Sequence, residues 1–178
     1  MNKTMEAFLA EIERRAFRIA QLATGNRDDA LDIVQDAMIK LVQKYSDQPA
    51  ASWKPLFYRI LESRIMDFHR RQSVRNRFRS WLDRPSDEED GEDLLEQQPA
   101  EISSFPDIQL QDAEFMGHLN SALSELPLRQ QQVFLLRIWE GLDISDTATA
   151  MQCSESSVKT HYSRALEKLR IALKDFQP

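Results

Sequence analysis

Apolar residues recur along this chain three and four positions apart, the spacing that gathers side chains on one face of an α-helix rather than alternating them across a strand. From Thr4 to Ala23, the residues Phe8, Ile12, Ala16, Ile19 and Ala23 share a face and Gly25 supplies a stop, which predicts a first helix. Asp28 is expected to cap a second, whose stripe of Leu31, Val34, Met38, Leu41, Val42 and Tyr45 ends before Pro49. These two should pack as a hairpin. A third helix is expected to start near Trp53, to bury Phe57, Leu61, Ile65 and Phe68, and to become strongly basic at its far end.

Between about Leu82 and Asp112 the periodicity fails and three prolines appear. The run Asp87-Glu88-Glu89-Asp90-Gly91-Glu92-Asp93 repels itself there, which predicts a disordered or extended linker. Helical patterning resumes with Phe115, Leu119, Ala122 and Leu123. Pro127 then stands where a first helical residue is expected, followed by an apolar side of Val133, Phe134, Leu136 and Ile138 and a stop at Gly141. Asp143 to Leu173 has the layout of a helix-turn-helix. A short helix turns Ile144, Ala148 and Met151 inward, a tight turn follows, and a longer helix capped by Ser154 buries Val158, Ala165, Leu166 and Leu169. The pattern predicts an all-α chain of two small helical domains, at 1–81 and 112–178, joined by an acidic flexible linker over 82–111.

Composition supports this reading and adds a charge asymmetry. Only 4 glycines occur in 178 residues, and a single cysteine, Cys153, excludes an internal disulfide. There is no run of eighteen apolar residues and no charged-then-apolar leader, so a cytoplasmic protein without membrane insertion is expected. A net charge of −6 argues against a nucleic-acid binder until the chain is divided. Residues 1–82 carry 15 Lys and Arg against 10 Asp and Glu, residues 83–114 carry one Arg against 12 acids, and residues 115–178 carry 7 of each. The acidity is concentrated in the linker, and the first domain is basic.

Three clusters of side chains carry the candidate chemistry. On the last long helix, Ser156, Ser157, Lys159, Thr160, Ser163 and Arg164 lie near or on the outward face of the first turns. Lys and Arg donate to phosphates and guanine edges, hydroxyls bond backbone or bases, and a helix N-terminus favours a phosphate. On the third helix, Arg59, Arg64, Arg70, Arg71, Arg75, Arg77 and Arg79 accompany only Glu62 and Asp67, with Trp53, Phe57, Tyr58, Phe68 and Phe78 interleaved. That composition suits a surface that grips a backbone and holds unstacked bases, although Phe57 and Phe68 belong to the core stripe. On the second helix, Asp32, Gln35, Asp36 and Lys40 face outward near Asp28 and Asp29. A solvated amphipathic face explains any one of these clusters taken singly. His69, His118 and His161 are too scattered for a metal site, Cys153 reads as a small packing residue at the turn, and no phosphate loop, nucleophile motif or acid–base pair points to an enzyme or a cofactor. A conventional dimeric helix-turn-helix regulator remains open on the C-terminal half alone.

Taken together, the motifs resemble the extracytoplasmic-function sigma factors, small relatives of the primary bacterial sigma factor. The segment Asp28-Asp29-Ala30-Leu31-Asp32-Ile33-Val34-Gln35-Asp36 is similar to the family's acidic helix, Trp53 to Arg71 to its strand-melting segment, and Leu126 to Phe134 with Glu140-Gly141-Leu142 to the signature before its helix-turn-helix. The resemblance implies a protein that binds core RNA polymerase and promoter DNA, makes and breaks no bond, and is subject to an anti-sigma protein. It assigns polymerase docking to Asp28, Asp29, Asp32, Gln35, Asp36 and Lys40. The downstream promoter element falls to Trp53, Arg59, Ser63, Arg64, Arg70 and Arg71, and the upstream element to Ser156, Ser157, Lys159, Thr160, Ser163 and Arg164, with Arg164 foremost. Ser156-Ser157 stand where Gly-Thr is usual and Ser63 where asparagine is common, so the promoter sequence does not carry over. The acidic linker resembles in position the family's connector toward the polymerase channels.

Overall fold

The computed structural model describes residues 4–82 and 110–176, and every regular element among them is helical. The first three helices are α1 (Met5–Thr24), α2 (Arg27–Tyr45) and α3 (Ala50–Leu82). The second group is α4 (Leu110–Ser124), α5 (Leu128–Phe134), α6 (Ile144–Met151) and α7 (Glu155–Ala172). The linker expectation over 82–111 lies almost wholly outside the described residues.

Capping chemistry fixes most helix ends. Thr4 accepts from the Ala7 amide to start α1, and Gly25 ends it in the left-handed region at φ 68, its amide bonded to the Gln21 carbonyl. The cap of α2 is Asn26 rather than Asp28. The Asn26 Oδ1 accepts from the Asp28 and Asp29 amides at 2.8 and 3.1 Å, and the two aspartates occupy the first turn, where the helix dipole favours them. α3 begins at Ala50, a little before Trp53, and carries Pro55 early in its length, where the ring removes one backbone donor. Pro127 is the residue before α5 and not its first helical residue.

The seam between α1, α2 and α3 is filled by Phe8, Ile12, Ile19, Ile33, Val34, Leu41, Phe57, Leu61 and Ile65, all buried. The expected stripe of α2 is rotated from the observed one. Ala30, Ile33, Val34, Ala37 and Leu41 face the core, while Leu31 and Val42 point outward at 37% and 42% exposure. Ala30 and Ala37 share the buried face with Ile33, Val34 and Leu41, and small residues there let α2 approach its neighbours closely. In the second group Leu123, Val133, Leu135, Leu136, Met151, Val158 and Ala165 form the core. Ile138, expected inside, is exposed, because α5 runs on into a π-helical turn over Leu135–Trp139 that shifts the register by one residue.

The two groups touch. α3 packs along α6, α1 meets α4 and α5, and the Gln131 side-chain amide of α5 donates to the Leu22 carbonyl of α1 at 3.4 Å.

Candidate nucleic-acid and polymerase interfaces

The helix-turn-helix is assembled by hydrogen bonds at three places. Asp143 caps α6 through its carboxylate, which accepts from the Asp146 amide at 2.7 Å. Gln152 ends α6 in the left-handed region at φ 52, and the Cys153 amide reaches back to the Ala148 carbonyl at 3.1 Å, closing the turn. Ser154 then caps α7 by accepting from the Ser157 amide at 3.1 Å. Two arginines outside the reading helix brace this unit. Arg129 donates from Nη1 to the Met151 carbonyl at 2.9 Å, and Arg137 donates to the Leu142 carbonyl and lies 5.8 Å from the Tyr162 ring. The Cys153 thiol is free and packs half-buried against the core.

With Val158, Ala165 and Leu169 inward, Ser156, Lys159, Thr160, Ser163 and Arg164 are all exposed on α7. Thr160 donates its hydroxyl proton to the Ser156 carbonyl at 3.1 Å, so its free lone pairs face out as an acceptor. Ser157 is half-buried, and its hydroxyl lies 2.9 Å from that of Ser154, which ties it to the cap. His161 is held below the usual imidazole range by partial burial and by the charges of Arg129 and Arg164, so it is neutral near pH 7.

On α3 the expected residues separate into two kinds. Arg59, Arg70 and Arg71 are exposed; Ser63 and Arg64 are half-buried. Trp53 is a core residue at 7% exposure, with its indole nitrogen donating to the Tyr45 carbonyl at 3.2 Å and its ring 5.8 Å from that of Phe8. In this arrangement its ring packs at the start of α3 against α1 and α2. Toward the end of α3, Val74 and Phe78 lie exposed among Arg70, Arg71 and Arg75 in a shallow basic and apolar depression, with exposed Trp81 6.1 Å from the Phe78 ring. His69 holds this helix to the end of α1, its Nε2 2.6 Å from the Ala23 carbonyl.

On α2, Asp28, Asp32, Gln35 and Asp36 are exposed, and Asp29 and Lys40 are half-buried. Leu31, Ile39 and Val42 are exposed beside them. An apolar stripe edged with carboxylates is the composition of a protein-docking face, and hydrophobic periodicity alone had assigned Leu31 and Val42 to the core.

Sequence reasoning missed a set of charged residues between the two helical groups. Glu140, which follows the π-helical turn, has a fully buried side chain whose carboxylate lies 3.4 Å from Arg15 Nε of α1 and 3.7 Å from Lys54 Nζ of α3. Lys54 also donates to the Glu140 carbonyl at 2.5 Å. Tyr58 lies beside this carboxylate, and burial together with the neighbouring charge pushes its phenol well above the usual range. Glu62, one turn further along α3, is buried and pushed up to about 8 by desolvation, which the charge of Arg129 partly opposes. Their partners come from the other half of the chain, so the only local signal was the Glu140-Gly141-Leu142 motif.

Comparison with known proteins agrees with this arrangement. Residues 5–75 match Sigma-70 region 2, and residues 118–169 match Sigma-70, region 4. The RNA polymerase sigma factor SigV of Bacillus subtilis is 31% identical over 161 residues, covering 88% of this chain and 83% of SigV. The ECF RNA polymerase sigma factor SigX of the same organism is 25% identical over 172 residues, covering 96% and 84%. In fold, the chain is similar to the sigma factor RpoE of Bartonella quintana, solved in complex with the anti-sigma factor NepR, with a TM-score of 0.62 at 23% identity over 94% of this chain and 96% of that one. These relatives are transcription factors rather than enzymes, and among the described residues no helix is long and apolar enough to cross a membrane. The chain belongs to the sigma-70 family, as an extracytoplasmic-function sigma factor that acts in transcription initiation with core RNA polymerase and promoter DNA.

Proposed function

We propose that this sigma factor divides promoter recognition between its two ends. The domain spanning 1–81 docks on polymerase and captures the opened strand, and the domain spanning 112–178 anchors the duplex upstream. The observation that carries the reading is the outer face of α7, where Lys159, Thr160, Ser163 and Arg164 stand exposed on a helix that Ser154 caps at its start, beside an α6 whose end Arg129 holds through the Met151 carbonyl. A rigid helix presenting two cations and two hydroxyls suits a major groove, with Arg164 the residue able to pair two acceptors of a guanine. Ser156 joins that face, and Ser157 serves through the cap.

The exposed Arg59, Arg70 and Arg71 of α3, with Ser63 and Arg64 beside them, grip the downstream strand. The depression around Val74 and Phe78 adds apolar surface for unstacked bases. The stripe of α2, with Asp28, Asp29, Asp32, Gln35, Asp36 and Lys40 around Leu31 and Ile39, docks on a basic face of polymerase. The protein acts by positioning and forms no bond with its substrate. It works in the cell interior, where polymerase is, and the complex of its fold relative with an anti-sigma factor supports an inhibitory partner of that kind here.

The test is capture of core RNA polymerase by the purified chain, followed by transcription from randomised promoter fragments. Stable capture with selective initiation is expected and delivers the promoter sequence. Tight autonomous DNA binding without polymerase capture would replace this reading with that of a free-standing regulator.

A further inference from the structure

α3 changes character along its length. Up to Phe68 its apolar side is the one that Phe57, Leu61 and Ile65 bury in the core. From Arg70 to Leu82 every residue except Gln72 and Asn76 is exposed, yet the helix carries a second apolar stripe there. Val74, Phe78 and Trp81 form it at 62%, 61% and 68% exposure, with Leu82 beside them. At 3.6 residues per turn the new stripe lies about a third of a turn from the buried one, so it is not the core seam running on into solvent.

Arginines border this ridge on both sides. Arg71, Arg75 and Arg79 follow one another at four-residue steps along one edge. Arg70 and Arg77 lie along the other, in line with Arg59 about three turns earlier. The remaining side holds Gln72, Ser73, Asn76 and Ser80 and has no charge, and no acid follows Asp67 in the helix. Arg70 pairs with Asp67 at 3.5 Å, and the other four have no ion pair among the described residues. The match to Sigma-70 region 2 stops at residue 75, so Arg77, Phe78, Arg79 and Trp81 lie past the part shared with the family.

We propose that this ridge is a wedge that parts the two DNA strands: Val74, Phe78 and Trp81 enter where duplex gives way to the opened segment, and each arginine edge follows one phosphate backbone. The inference rests on the strand-gripping reading of α3 given above and deepens it. Both edges begin inside that surface, one at Arg59 and Arg70 and the other at Arg64 and Arg71, and the grip divides around the ridge further along. Guanidinium groups suit phosphates, and an uncharged ridge between two cationic rows suits a pair of backbones with bases between them. The Phe78 and Trp81 rings stand 6.1 Å apart at 33° and offer an aromatic face to the last base pair of the duplex, which loses its stacked neighbour when the strands part.

The test uses the protein with core polymerase on a promoter recovered from the randomised fragments, in two forms: fully paired, and carrying a mismatched segment that is already open. Trp81→Ala removes one exposed ring, and Trp81→Phe restores an aromatic. Fluorescence of an adenine analogue at the edge of the opened segment follows strand separation. On the paired form, Trp81→Ala should open about tenfold more slowly than wild type, within the range for losing one base–aromatic stack, and Trp81→Phe should stay near wild type. From the mismatched form all three should initiate alike, with polymerase capture and helical content unchanged. Equal loss on both forms would make Trp81 a holding contact and overturn the wedge, leaving the strand-gripping surface in place. Normal opening of the paired form by Trp81→Ala would also overturn it. If phosphatidylglycerol vesicles then bound the free wild-type chain and not that variant, the ridge would belong to a lipid surface. A wild-type chain that initiates from neither form would overturn the function proposed above, and the wedge with it.

Discussion

Arg129 of α5 donates from Nη1 to the Met151 carbonyl at 2.9 Å, so the last turn of α6 is closed by a side chain from another helix. The carbonyls at a helix C-terminus lack partners within the helix, and a guanidinium there satisfies one of them and opposes the negative end of the dipole. Arg129→Ala is expected to lower the stability of the second domain by about 1.5–3 kcal/mol, the range for a hydrogen bond from a charged group. Thermal unfolding followed by circular dichroism measures this. Upstream-element affinity should fall with stability and recover on cooling, which distinguishes a brace from a residue that touches DNA.

Arg164 should behave in the opposite way. It is exposed on α7 and has no ion pair among the described residues, so removing it costs the fold little. Arg164→Ala should weaken upstream-element binding by about 1–3 kcal/mol and relax preference at one base pair, with polymerase capture unchanged. Lys159→Ala should weaken binding evenly across sequences and reduce its salt dependence. Titrating holoenzyme against promoter fragments at two salt concentrations separates the two effects. Equal loss of promoter binding and polymerase capture in Arg164→Ala would remove it from the reading face.

How far the sequence could be read follows from the kind of contact involved. α1 was legible residue by residue, because Phe8, Ile12, Ala16, Ile19 and Ala23 form an unbroken stripe with one clear stop, and all five are buried. On α7, Ser154 and the buried Val158, Ala165 and Leu169 were read in the same way. α2 was misread in rotation, because large apolar side chains dominate a periodic pattern, whereas Ala30 and Ala37 share the buried face with Ile33, Val34 and Leu41 and shift it away from Leu31 and Val42. Its cap was misassigned because Asn26 and Asp28 both qualify chemically, and only the position of Gly25 decides between them. The packing of Trp53 was not legible, because the Tyr45 carbonyl that its indole meets is fixed by the turn between α2 and α3 and not by any periodic pattern. Glu62 and Glu140 were invisible as buried groups, since neither is near its partners in sequence.

The rotation of α2 leads to a prediction about docking. Asp32 and Asp36 lie one turn apart on the exposed face, with Leu31 and Ile39 beside them. Reversing both charges, Asp32→Lys with Asp36→Lys, should reduce capture of core polymerase at least tenfold through like-charge contact, while the free chain keeps its unfolding midpoint. Ile39→Ser should weaken capture without changing its salt dependence, because it removes apolar area and no charge. Surface-bound polymerase titrated with each variant reports both. Capture that survives the double reversal would remove α2 from the docking surface.

Glu62 makes stability depend on pH with a definite sign. Its carboxyl is buried without a hydrogen-bond partner and is held up to about 8 in the folded chain, against an ordinary value of 4.5. The folded state therefore binds a proton that the unfolded state releases across that window. Below the lower value the acid is neutral in both states and carries no penalty. As pH rises through the window toward 8, folding loses stability, and above it a carboxylate must be held in the interior. The charges and dipoles facing it are the Arg129 guanidinium of α5 and the Tyr58 phenol of its own helix, and Arg129 offsets only part of the desolvation. Replacing Glu62 with Gln keeps the shape and removes the titration. Denaturant unfolding of wild type and Glu62→Gln at pH 5, 7 and 9 should show the two nearly equal at the lowest value and the variant increasingly more stable toward the highest. A wild-type chain whose stability ran parallel to that of Glu62→Gln from pH 5 to pH 9 would mean that Glu62 is already ionised in the folded protein across that range, which would overturn the buried neutral acid.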